Sequence, residues 1–189
     1  MQRFITLAFN TLLLLSLNAA TPETHYTVIV SLDGFRWDYP DMYKTPNLDR
    51  MAADGVKAVM LPSYPASTFP NHYTLATGLV PDHHGIINNT FWDVKNRRQY
   101  SMGDSATRNN PEYYLGEPIW ITAQKQGVKT GNMYWVGSDI AIKKSHPTYY
   151  RPWNAKPFLT FEQRIDTVLT WLQKPEPERP RLIMLYFEE

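Results

Sequence analysis

A chain of 189 residues is long enough for one ordinary domain, which at this size buries about 70% of its unfolded surface. Its 19 basic and 18 acidic residues leave a net charge of +1, so there is no basic footprint for a nucleic-acid polymer. The chain has no cysteine, which excludes disulfides, a lipid-bearing thiol and thiolate ligation; any metal must be held by His and carboxylates.

The short cationic start Met1-Gln2-Arg3, the apolar stretch Phe4 to Leu17 and the small residues Asn18-Ala19-Ala20 follow the pattern of a secretory signal peptide over 1–20. That pattern predicts an exported protein, periplasmic or extracellular. A retained amphipathic start is the alternative, because a cut after Ala20 leaves Asn18 three residues back. The apolar stretch is too short to span a bilayer and runs into polar Thr21 to His25, so no stable membrane span is expected after signal removal.

Strands and helices then alternate. The apolar run Tyr26 to Leu32 reads as a buried strand ending at Asp33, and in an open α/β sheet ligands gather at the carboxyl ends of strands. Before Gly34, Asp33 serves equally well as a turn residue. Thr45 to Gly55 has a cap, a proline at the first helical position and a closing glycine, and it predicts a short helix with Leu48, Met51 and Ala52 on one face. Val56 to Leu61 reads as a strand. Thr68 stands where a loop turns into a helix, Pro70 to Thr77, stopped by Gly78. On local pattern it is either a helix cap or an activatable alcohol.

Farther along, Glu117 to Gln126 reads as a helix up to Gly127, and Val128 to Trp135 as a strand. Thr160 and Gln163 form a capping box ahead of a helix that is expected to bury Ile165, Val168, Leu169 and Leu172. After the Pro-rich loop Lys174 to Pro180, Leu182 to Phe187 looks like a central parallel strand. The six Trp and twelve Tyr are mostly core, with a few free to stack on a planar ligand. Because the chain stops at Glu188-Glu189, the reading is of a fragment whose last strand lacks covering neighbours, exposes its edges and invites aggregation.

Val30-Ser31-Leu32-Asp33-Gly34-Phe35-Arg36, Thr45-Pro46-Asn47-Leu48, Pro62-Ser63-Tyr64-Pro65 with Thr68-Phe69-Pro70-Asn71-His72-Tyr73, Thr77-Gly78-Leu79 and Asp82-His83-His84-Gly85-Ile86 together resemble the nucleotide pyrophosphatase/phosphodiesterase family of the alkaline phosphatase superfamily. The similarity continues through Gly116-Glu117-Pro118-Ile119-Trp120, Trp135-Val136-Gly137-Ser138-Asp139 and Leu185-Tyr186-Phe187-Glu188-Glu189.

The resemblance implies an α/β, alkaline phosphatase-like sandwich with a mostly parallel central sheet flanked by helices, incomplete in this chain. Residues 21–189 would form the N-terminal portion of the catalytic domain. It implies hydrolysis of phosphodiester or pyrophosphate bonds in nucleotides at two Zn²⁺ ions, with Thr68 as nucleophile and metal ligand, a covalent nucleotidyl-threonine, and Asp33 as a ligand of one zinc. At a helix start, the Phe69 backbone N–H is also offered to a phosphate oxygen. Asn89 matches the amide that donates to a phosphate oxygen, Phe69 the aromatic on one face of the base, Trp153 the position usually held by a Tyr on the other, and Trp135 and Asp139 residues lining the nucleotide pocket. By local pattern alone Asn89 is a turn residue and Trp135 is core.

None of the five His has a partner at ligand spacing, and the remaining zinc ligands are expected beyond Glu189. The partner is then a nucleotide or related small phosphodiester. A lysophospholipid or choline phosphodiesterase, a phosphomonoesterase of the same superfamily, and a non-catalytic truncated remnant are the alternatives. The 189-residue chain by itself is expected to be inactive.

Overall fold

The computed structural model describes residues 24–188, so the signal sequence read over 1–20 lies outside the described residues. A four-stranded parallel sheet runs in the order β1 (Thr27–Leu32), β6 (Leu182–Phe187), β4 (Thr130–Met133) and β5 (Tyr149–Arg151). The helices that connect and cover it are α1 (Tyr39–Met42), α2 (Pro46–Asp54), α3 (Thr68–Thr77), α4 (Pro81–His84), α5 (Ser105–Arg108), α6 (Ile119–Lys125) and α7 (Phe161–Leu172). Between α4 and α5 a hairpin pairs β2 (Thr90–Asp93) with β3 (Arg98–Ser101). This is the expected mostly parallel α/β arrangement.

Local chemistry accounts for several boundaries. The Thr160 hydroxyl accepts from the Gln163 backbone and the Gln163 side chain accepts from the Thr160 backbone, so the capping box starts α7 as read from the sequence. Gly78 closes α3 in the left-handed region at φ 70°, with its N–H on the Thr74 carbonyl. In β4, a Cβ on Gly131 would meet the Trp171 ring at 2.8 Å, so glycine there lets α7 lie close against the sheet. The core gathers around Phe69, Tyr73, Trp120, Trp135, Met133 and Met184.

Three expectations are corrected. Val56 to Leu61 is not a strand; no described strand supplies it with a hydrogen-bonding neighbour, and Val56 is 93% exposed. α2 forms where it was read, with none of its residues buried. In α7 the buried residues are Arg164, Val168 and Trp171, while Ile165 and Leu169 are nearly half exposed, because the face toward the sheet is turned by one position from the apolar stripe.

The third correction concerns the edge of the sheet. β6 is the central parallel strand it was read to be, paired on both sides and buried along its whole length rather than exposing its edges, whereas β1, read as buried, is the sheet edge, with Val28, Val30 and Leu32 at 45, 52 and 41% exposure. Two helices and one strand also shift in extent: α3 begins at Thr68 rather than Pro70, and α6 and β4 are shorter than read.

Candidate active site

Asp33 follows β1 directly, and its N–H donates to the Phe187 carbonyl at 2.9 Å, extending the β1–β6 ladder past the last named pair. The carboxylate is thereby placed at the C-terminal edge of the sheet. Its Oδ2 accepts two hydroxyls, from Thr68 Oγ1 at 2.9 Å and from Tyr186 Oη at 2.9 Å. Two residues 35 apart in sequence, a strand-end carboxylate and a loop-to-helix alcohol, are in contact.

The start of α3 is held from several directions. Thr68 is the first helical residue and Ser67 the cap, so Thr68 is not itself the cap. Asn71 ties down the preceding loop: its Oδ1 accepts from the Ser63 N–H at 2.7 Å, and its Nδ2 donates to the carbonyls of Pro65 at 2.9 Å and Ser67 at 3.0 Å. His72, at 5% exposure, braces the next turn. The Thr68 carbonyl can only accept, so the His72 Nδ1 at 2.7 Å carries the proton, and in the neutral ring Nε2 accepts from the Ser31 hydroxyl at 2.8 Å. Burial lowers the His72 pKa below its ordinary value and so favours this neutral form.

Asn89, on the loop before β2, takes the Phe69 N–H on its Oδ1 at 2.9 Å. This corrects the expectation that the Phe69 N–H faces a phosphate. Pro70 has no N–H, and among the described residues neither the Thr68 N–H nor the Asn89 Nδ2 has a protein acceptor, which leaves both able to donate to a ligand at the start of α3.

The aromatic residues are arranged differently from the sequence reading. Phe69 is fully buried and meets Trp153 edge to face, with centroids 5.0 Å apart and planes at 85°, so no parallel slot for a base opens between them. Trp153 instead lines a cavity of about 210 Å³ together with Thr68, Met102, Tyr134, Phe158 and Tyr186. Trp135 is fully buried, its indole N–H on the His72 carbonyl at 3.2 Å and its ring against the His72 ring; it presents no surface to a ligand. Asp139 has no hydrogen bond to the Asp33–Thr68 pair among the described residues, and burial raises its pKa against the opposing effects of its own backbone N–H and of Arg108.

Sequence reasoning assigned no role to Tyr186, Asn71, His72 or Glu188. All four sit inside the quoted motifs, but their partners are Asp33, the Ser63–Ser67 loop, Ser31 and Arg164, and nothing in their spacing names those partners.

As a metal site, the pair offers one carboxylate and one alcohol, hard oxygen donors that suit one dication. Two donors fall short of the four that zinc takes, and among the described residues no group of three or more His, Asp or Glu is gathered that could hold a metal.

Residues 27–189 match the family model described as type I phosphodiesterase / nucleotide pyrophosphatase. Ectonucleotide pyrophosphatase/phosphodiesterase family member 3 from Bos taurus is 42% identical over 165 residues, covering 86% of this chain and 18% of its own. Family member 1 from Homo sapiens is 44% identical over 170 residues, covering 88% and 18%. The chain therefore spans about a fifth of the length of these relatives. Among solved structures, murine ectonucleotide pyrophosphatase/phosphodiesterase 5 superimposes with a TM-score of 0.78 at 34% identity, over 87% of this chain and 43% of that one. The same match holds for an inactive threonine-to-alanine variant of that protein in complex with AMP.

Proposed function

The chain belongs to the type I phosphodiesterase/nucleotide pyrophosphatase family, and from that premise we propose that residues 21–189 are the N-terminal portion of the catalytic domain of an exported enzyme that cleaves phosphodiester and pyrophosphate bonds in nucleotides. Its fold is the alkaline phosphatase-like α/β fold. Residues 1–20 would be the signal peptide, and no helix of the described residues is long and apolar enough to cross a membrane. The observation that carries the reading is the Thr68 hydroxyl on Asp33 Oδ2 at a helix start. The inactivity of the murine relative's threonine-to-alanine variant, which holds AMP, supports it.

Thr68 Oγ1 would attack the phosphorus, the bond to the leaving alcohol or phosphate would break, and water would then release nucleoside 5′-monophosphate from the threonyl ester. Asp33, held by Tyr186, orients the attacking oxygen by accepting its proton in a hydrogen bond. The Asn89 Nδ2 and the Thr68 N–H would donate to a phosphate oxygen as its charge grows, and the positive end of the α3 dipole favours the same anion. A base would lie on Trp153 in the adjoining cavity, a stacking worth about 1–3 kcal/mol and tolerant of base identity.

Two Zn²⁺ ions, when bound, would stabilise the threonine alkoxide and the phosphate charge. Asp33 and Thr68 would hold one of them, and the remaining ligands are expected beyond Glu189.

The deciding experiment uses the full-length parent protein and a nitrophenyl ester of thymidine monophosphate. Thr68→Ala should abolish turnover and Thr68→Ser should keep part of it, because only the hydroxyl is chemically required. Most of the activity surviving in Thr68→Ala would remove Thr68 from the mechanism.

A further inference from the structure

At the C-terminal end of β6 a buried arginine meets a carboxylate that faces the candidate site. The Arg164 side chain is 1% exposed, and its guanidinium lies 4.5, 5.1 and 5.3 Å from the ring centres of Tyr134, Phe161 and Phe158. All three nitrogens are engaged. Nε donates to the Leu159 carbonyl at 3.2 Å, Nη1 to the Tyr186 carbonyl at 3.1 Å and to Glu188 Oε2 at 2.6 Å, and Nη2 to Glu188 Oε1 at 2.5 Å. The last two form a bidentate fork, a geometry that an ammonium cannot supply.

Glu188 has a side-chain exposure of 36% and lines both the cavity beside Thr68 and the larger hollow of about 620 Å³ beside Asp33. Burial works to raise its pKa and is outweighed by the hydrogen bonds from Arg164 and the charge behind them, so the carboxyl stays below its ordinary value and ionised.

Stability alone does not explain the pair. A buried ion pair is commonly matched or bettered by apolar residues of similar volume, and the ring-lined site around Arg164 would accept one. What an apolar residue would not do is cancel the charge of Glu188. A bare carboxylate on the cavity wall beside Thr68 repels any phosphate ester that enters, while a guanidinium, which does not lose its proton, neutralises it at every working pH. The Arg164 bond to the Tyr186 carbonyl also fixes the strand end whose hydroxyl holds Asp33.

We infer that Arg164 is a positioning and charge-cancelling residue of the site: its fork on Glu188 makes the cavity beside Thr68 electrically acceptable to an anionic phosphate ester. The inference rests on the phosphodiesterase reading for its ligand and deepens it by naming what admits the anion.

The test is AMP binding by calorimetry to the full-length, metal-loaded protein, alongside hydrolysis of the nitrophenyl ester. Arg164→Met should weaken AMP binding at least tenfold and raise KM by a similar factor, with kcat changed less than threefold. Glu188→Gln leaves the guanidinium uncompensated and should act in the opposite direction, tightening AMP binding threefold or more. The double variant should return within threefold of the unsubstituted protein. Both shifts should shrink as salt is raised, since Glu188 is partly exposed to solvent.

A merely structural Arg164 would give losses of one sign that Glu188→Gln cannot reverse, and that result overturns the inference. If Arg164→Met does not fold, Glu188→Gln decides alone: unchanged or weaker AMP binding by the folded variant overturns it. AMP affinities that follow the expected pattern without ester hydrolysis would sink the phosphodiesterase reading and leave this one. Hydrolysis with AMP affinity indifferent to both substitutions would sink this one alone, and a parent that binds no AMP overturns both.

Discussion

β1 and β6 are neighbouring parallel strands of six residues each, paired from Thr27 with Leu182 to Leu32 with Phe187, yet they lie in opposite surroundings. β6 has a strand on either side and is buried along its whole length; β1 is paired on one side, and half of its residues present apolar side chains to solvent. The candidate metal ligand, Asp33, hangs from the exposed strand. It is placed from the buried one, through the Phe187 carbonyl and the Tyr186 hydroxyl. The reactive edge of the sheet takes its precision from its neighbour, which is how a carboxylate can be both accessible to a cation and fixed in position.

The largest expected effect sharpens that contrast in stability. Met184→Ala in β6 should cost about 2–5 kcal/mol of unfolding free energy, as truncations of buried methionine do. Val30→Thr on the open side of β1 should cost less than about 0.5 kcal/mol. Urea titrations of the 189-residue chain measure both, and equal losses would erase the distinction between the strands. A Val30 cost that appears only in the longer parent would show that further chain covers β1.

Asn89→Ala removes the acceptor of the Phe69 N–H and, on the proposed mechanism, a donor to a phosphate oxygen. We expect kcat and kcat/KM to fall together, by up to about 10²–10³, as for loss of an oxyanion donor. A rise in KM at constant kcat would instead make Asn89 a ground-state contact.

Tyr186→Phe tests the transfer of order from β6 to β1 most directly, since it keeps the ring and deletes one hydrogen bond to a carboxylate. Such bonds contribute about 1.5–3 kcal/mol, so kcat/KM should drop about 10-fold to 100-fold. Unchanged kinetics would mean that Asp33 is held well enough by its own strand and Thr68.

The smallest effect lies behind α3, away from both strands. The His84 Nδ1 accepts from the Ile86 N–H at 3.2 Å, so Nε2 carries the proton, between the Thr74 hydroxyl and the Pro70 carbonyl. Burial pushes this imidazole down to about 4. The unfolded chain titrates near 6.5, so as pH falls from 6.5 toward 4 the unfolded state takes up a proton that the folded state refuses. Stability should fall in that window by at most about 1.4 kcal/mol per pH unit, with no contribution above it. Urea midpoints at pH 7 and pH 5 measure the slope, to which the lowered His72 adds in the same sense. His84→Gln should flatten it, and an undiminished slope would assign the acid sensitivity elsewhere.

What was legible in the sequence was short-range or carried by motif. The capping box at Thr160, the αL glycine at Gly78, the alternation that yields a parallel sheet, and the Asp33 and Thr68 motifs all depend on neighbours within a few residues or on a pattern kept as a unit. Trp135, Phe69 and Trp153 were legible as aromatic but not in orientation, because ring geometry is decided by packing; two of the three turned out fully buried.

Val56 to Leu61 has the composition of a strand and lacks a partner among the described residues, and a strand exists only as a pair. Arg164 shows the same limit from the other side. On a helix of 3.6-residue period a lone arginine is assigned to solvent, and only the approach of Glu188, 24 residues on, together with the surrounding rings, gives the guanidinium a reason to be buried. Sequence alone therefore determined the family, the alternation of strands and helices, and those helix ends that are marked by local caps, at Thr160 and Gly78. Tertiary structure decided which strand is buried, which ring faces the cavity and which charge is cancelled, since those depend on hydrogen bonds and desolvation between residues that the chain order keeps far apart.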